Sequence, residues 1–212
     1  MDFSYFCTEI ATHTMMKKKS PTKRIIALVD EMRENSSEFR MWKNIPLAKE
    51  CIQLLRDLDD PEETPMGKAL ACDAIREQLP EYDVPRFTLG ILRYERELLE
   101  QSDEEPGDNG PTLEEVDQEI QRLTDYIDTE HVSTAEFMRR HQRHLDFDPV
   151  ERTPQWEEIY YKVEQECDRQ LGDIPRGMGF CFAYWSTRRQ VLANHGIHWR
   201  SPHEMNPRVM FD

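Results

Sequence analysis

The sequence predicts an all-α protein, a multi-helix bundle of about eight helices with an ordered C-terminal tail packed on the bundle. Three observations predict it. Apolar residues recur at three- and four-residue spacings through most of the chain beyond residue 20. Ser or Thr followed by Pro repeatedly marks a helix start. No segment alternates apolar and polar residues with period two for long enough to form a strand.

Residues 1–19 lack the helical pattern and are expected to be a flexible tail, with Met15-Met16 before Lys17-Lys18-Lys19 reading like a start of translation. Ser20-Pro21 caps the first helix, whose face of Ile25, Leu28, Val29, Met32 and Phe39 carries it to about Trp42. Asn44 and Pro46 restart a helix with Leu47, Ala48, Cys51, Ile52, Leu55 and Leu58 inward, stopped by Asp59-Asp60-Pro61. Thr64-Pro65 repeats the cap, and Met66, Leu70, Ala74 and Ile75 carry the next helix to about Leu79. Between Pro80 and Pro85 lies a short connection. Phe87, Ile91, Leu92, Tyr94 and Leu98 then define a fourth helix.

The stretch from Ser102 to Pro111 holds four acids, two prolines, two glycines and no apolar residue, so it is expected to be an exposed loop or linker. It divides the chain into an N-terminal helical half, residues 20–101, and a C-terminal half, residues 112–212, which together are expected to make one domain. Thr112 and Glu115 form a capping box. The seam of Leu113, Val116, Ile120, Leu123 and Ile127 is too short for a free coiled coil and asks for a hairpin partner within the fold more than for a dimer zipper. A short helix follows Ser133 and Glu136, with Phe137, Met138, His141 and Leu145. Thr153-Pro154 opens another, with Trp156, Ile159, Tyr160, Val163, Cys167 and Leu171 inward and Gly172 at its end. Its acids Glu157, Glu158, Glu164 and Glu166 are expected on the wet face. After Pro175-Arg176-Gly177-Met178-Gly179 the last helix runs from Phe180 to about Asn194, ended by Gly196. In the tail, Ser201-Pro202-His203-Glu204 offers one more helical turn. Trp199, Met205, Val209, Met210 and Phe211 are expected to fold back over the bundle.

Composition narrows the function classes. The 212 residues include 42 acids against 27 Lys and Arg, a formal charge of −15. Nucleic acid and anionic membrane surfaces are polyanions, so neither is an expected partner. Charge is also uneven: residues 102–132 carry eleven acids and one base, Arg122, whereas residues 179–212 carry four Arg against Glu204 and Asp212. The two regions could face each other within the fold or across a dimer. Five cysteines without a CxxC pair point to a reducing compartment, and no apolar run approaches the ~20 residues of a membrane span. The expected location is the cytoplasm.

Motifs that carry chemistry are scarce. The chain has no HExxH, no phosphate-binding Gly-rich loop ending in Lys-Ser/Thr, no Gly-x-Ser-x-Gly and no GxGxxG. Asp128-x-x-His131 is the single approach to a carboxylate-bridged metal motif, and it has no mate. His141-x-x-His144 lies among Arg139, Arg140 and Arg143, which oppose a metal. His195-x-x-His198 has zinc-like spacing, but Gly196 between them breaks the helix that would align the rings. No metal and no cofactor are expected.

Aromatics and arginines crowd the C-terminal quarter, a mixture that suits core packing, a protein hot spot or ligand contact. Arg188, Arg189, His195, His198, Trp199 and Arg200 are the candidate ligand- or partner-binding residues. The favoured function is a non-enzymatic module that binds a protein partner or itself. The alternative is a small enzyme or ligand-binding protein with its site between the last helix and the tail. A pocket lined by two or more of Arg188, Arg189, His195 and His198 would favour the alternative, and scatter over separate faces would favour the module.

Overall fold

A computed structural model describes residues 21–211 apart from 61, 62, 105, 108, 109 and 173. The expected flexible tail of residues 1–19 and the Ser20 cap lie outside the described residues. Among these, nine helices and no strand are present: α1 (Pro21–Ser37), α2 (Asn44–Asp57), α3 (Pro65–Arg76), α4 (Pro85–Gln101), α5 (Leu113–Ile127), α6 (Thr134–Arg140), α7 (Pro154–Leu171), α8 (Phe180–Asn194) and α9 (Pro202–Met205). Short 3₁₀ turns, Met41–Lys43 and Pro149–Arg152, join α1 to α2 and lead into α7. The fold class is all-α, as the periodicity predicts.

Local chemistry sets the helix starts. The hydroxyls of Thr64, Thr112, Ser133, Thr153 and Ser201 each accept a bond from a backbone N–H of the first turn. Glu115 and Glu204 complete reciprocal capping boxes at α5 and α9. Helix α4 is different. Val84 supplies no side-chain cap, and the N–H groups of Arg86 and Phe87 donate instead to the Glu157 carboxylate of α7, at 3.2 and 2.9 Å. Glu157 is therefore not a wet-face residue.

The main apolar core gathers α1 to α4 around Leu28, Met32, Ala48, Cys51, Cys72, Ile75 and Leu92, and it also takes in Val116, Leu123 and Tyr160. Helix α5 lies antiparallel on α4: Arg96 pairs with Asp117, while Tyr82, just ahead of α4, packs edge-on to Tyr126 near the end of α5. From Val116 to Ile127 the α5 seam thus has its partner inside the fold, whereas Leu113 is exposed. A second core joins α7, α8 and the tail through Trp156, Val163, Cys167, Val191, Leu192, Ile197 and Trp199. Tyr126, Val132, Phe137 and Phe147 form a third. No helix among the described residues is long and apolar enough to cross a membrane.

Several expectations need correction. Helix α1 stops at Ser37, so Phe39 is not on its buried face; it is 75% exposed with φ 58°. Leu70 and Leu145 are likewise exposed, and Met210 is 95% exposed, so it covers nothing. Gly172 ends α7 in the right-handed region (φ −54°) rather than as a left-handed cap. Glu164 is buried: it occupies the same helical stripe as Trp156, Tyr160, Val163 and Cys167, and its position there requires a cationic partner.

Candidate functional site

The six candidate residues of the C-terminal quarter do not share one place. Arg188 is internal. Its guanidinium sits over the rings of Trp156, Trp199, Tyr160 and Tyr184, at 4.7 to 5.7 Å from their centroids. Nη2 donates to Asp83 at 3.1 Å, and Nε lies 3.2 Å from Glu164 without the alignment of a hydrogen bond. Trp199 is buried, packed on Trp156, and its indole N–H donates to Glu151 at 2.6 Å. His195 is exposed at the end of α8. Arg189, His198, Trp199 and Arg200 do come together, with Asp148, around a hollow of about 230 Å³ between α8 and the tail. Arg200 is held there by Asp148, 3.0 Å from its Nε.

A larger cleft of about 500 Å³ lies elsewhere, between the end of α1, the Met41–Lys43 turn, α7 and the start of α8. Its walls are largely apolar: Phe39, Met41, Trp42, Leu171, Phe180 and Tyr184. Asp83 and Glu164 reach its floor, where they meet Arg188. The Tyr184 hydroxyl donates to Glu164 at 2.7 Å, and the Trp156 indole N–H donates to Asp83 at 3.0 Å. Burial pushes the Glu164 carboxyl up, against the pull of Arg188. Burial also draws the Arg188 guanidinium down, but Tyr184, Glu164 and Asp83 outweigh it, so it is held above its ordinary range. Burial raises both Tyr160 and Tyr184 well above the ordinary phenol.

This floor stabilises shape more than it offers reactivity. Its carboxylates are already engaged by Arg188, Tyr184 and Trp156. The Cys167 thiol, which also lines the cleft, is pushed up to about 12 by burial and so stays protonated, which disfavours it as a nucleophile. No group of three His, Cys, Asp or Glu among the described residues is arranged to hold a metal ion.

The rim has another character. Arg176 donates to the Phe39 carbonyl at 2.9 Å and to Asp168 at 3.2 Å, which ties the loop after α7 to the turn after α1. Around that tie three large apolar residues face solvent: Phe39, Ile174 and Met178, the last 94% exposed. A bulky residue in the left-handed region is an outlier that costs about 1–2 kcal/mol. Phe39 has that conformation and little burial in return.

Sequence reasoning did not find Phe39, Asp83, Glu164 or Met178. For Glu164 the signal was present, a charge inside a buried stripe opposite a helix carrying Arg188-Arg189. Phe39 follows the weak helix formers Asn35-Ser36-Ser37, which is where α1 ends. No family model, no curated protein and no solved structure matches this chain.

Proposed function

We propose that this protein is a non-enzymatic binding module, working in the cytoplasm, whose cleft between α1, α7 and α8 receives apolar and aromatic side chains of a partner protein. The observation that carries the reading is the solvent-facing rim. Phe39, held in a strained backbone conformation and 75% exposed, lines the aromatic cleft, and Ile174 and Met178 are exposed in the loop whose Arg176 and Gly177 line it. Exposed apolar residues on and near a cleft extend the contact surface beyond what a small ligand covers. Met adapts its shape to varied partners. Strain retained at an exposed position is a mark of function rather than stability.

The test is a Phe39→Gly variant of the full chain, assayed against peptides selected from a displayed library on the wild-type protein. Glycine accepts the left-handed backbone, so stability should hold or rise by up to about 1 kcal/mol. Peptide affinity should fall at least tenfold, about 1.4 kcal/mol. Selected peptides that bind the variant as well as the wild type would remove the cleft from the function.

A second reading, a small-ligand site between the last helix and the tail, is favoured by one observation. Arg189 and His198 line the same hollow with Trp199 and Arg200. Native mass spectrometry of the purified protein separates the two readings, because a retained small molecule adds its own mass whereas a docked peptide adds a known one.

A further inference from the structure

Helix α8 presents a second stripe to its surroundings. Phe182, Trp185, Ser186 and Arg189 follow at helical spacing, and Phe182, Trp185 and Arg189 lie one position on from Cys181, Tyr184 and Arg188, hence about 100° further round the helix. The first stripe faces the cleft and the buried arginine. The second meets the tail in an arrangement of four rings.

Phe182 lies 5.6 Å from Trp185 with 83° between their planes, and 5.6 Å from His203, again at 83°. Phe211 lies 5.2 Å from Trp185 at 89° and 6.3 Å from His203 at 85°. The contacts close a cycle in which each ring stands nearly perpendicular to both of its neighbours. A hollow of about 260 Å³ opens against three of these rings, Phe182, Trp185 and His203, and is lined also by Ser186, Arg189, Ser201 and Glu204.

We infer that this hollow between α8 and the tail, lined by the rings of Phe182, Trp185 and His203, is a binding site for a fully alkylated ammonium group. Ring faces supply attraction to positive charge without hydrogen-bond acceptors, which suits a cation that carries no N–H. The polar groups at the rim support that choice over a primary ammonium or a guanidinium. Glu204 already accepts from the Ser201 N–H and hydroxyl and from Arg189, at 2.7 to 3.0 Å. A donor-rich cation would find that acceptor occupied and would compete with Arg189 for it. The same chemistry is offered by a free quaternary amine such as choline and by a trimethylated lysine side chain.

The experiment titrates the nitrogen-labelled full chain with three probes. They are choline, a trimethyl-lysine peptide, and the neutral isostere of choline in which a tert-butyl group replaces the trimethylammonium. The readout is the indole N–H resonance of Trp185, assigned by its loss in Trp185→Phe. At least one cationic probe should shift it saturably while the Trp42, Trp156 and Trp199 resonances stay in place. The neutral isostere should bind at least tenfold more weakly, because it fills the same volume without the charge. Phe182→Leu should lower the affinity of the cation with the other indole resonances unmoved, which shows that the fold is retained. Whichever cationic probe binds more tightly identifies the source. Equal binding of the neutral isostere, or no saturable shift with either cation, overturns the inference. Neither result bears on the cleft, whose test reads a different surface.

Discussion

The Arg152 guanidinium is buried and donates to the carbonyl oxygens of Asp125, Tyr126, Asp128 and Val132 and to the Thr134 hydroxyl. Those carbonyls belong to the end of α5 and the turn beyond it, where a helix leaves acceptors without partners. Burial lowers the Arg152 pKa, so the charge is kept at a cost that the five bonds offset. Arg152→Ala would strand those acceptors, and urea denaturation should show a loss of about 3 kcal/mol or more. Arg152→Lys should recover little, since one ammonium cannot reproduce a planar fork. A loss under about 1 kcal/mol for the alanine variant would mean that water takes over the carbonyls. None of this was legible in the sequence, where Arg152 precedes a Thr-Pro cap like any exposed charge. Side chains that bond to backbone leave no periodic trace.

At the scale of elements the sequence was far more informative. Helix α8 was expected from Phe180 to about Asn194 and spans those residues, because Gly179 and Gly196, both at positive φ, bound it. The Ser201-Pro202 turn is also present as expected. The assignment of burial within the tail held for Trp199 and failed for Val209 and Met210. Ile197, Trp199, Ser201 and Asn206 are buried, and Asn206 bonds the backbone of Asp146, whereas Met210 faces water. Hydrophobicity alone cannot tell a core residue from a surface one when no period orders the segment. Deleting residues 197–212 should therefore cost several kcal/mol, since each fully buried large side chain contributes about 1.5–3 kcal/mol. Truncation after Pro207 should cost little, although it removes the ring contacts of Phe211 with Trp185 and His203. Equal melting temperatures for the full chain and the longer deletion would show that the tail is not structural.

For the molecule as a whole, stability should depend on pH through carboxyls that burial holds protonated. Glu95 is fully buried and pushed up to about 7, by burial first, with Asp73 of α3 and Glu119 of α5 adding repulsion and Arg76 of α3 opposing. Glu151 is raised to about 7 in the same way. A raised carboxyl stabilises the folded state fully below its unfolded pKa of about 4.3 and loses that contribution as pH rises through the folded value. Unfolding free energy should then fall between about pH 4 and pH 7. The −15 charge acts in the same direction, so the discriminating comparison is Glu95→Gln. That variant should be the more stable at pH 8 and should converge on the wild type toward pH 5, measured by denaturant titration at each pH. Parallel curves would remove Glu95 as a cause. The borrowed cap on α4 has a consequence of another kind. Its first turn is finished by Glu157, about 70 positions later in the chain. Helical bundles usually fold fast because their contacts are local. Here the start of α4 cannot close until a distant helix has arrived, so part of a local element inherits the tempo of a long-range search.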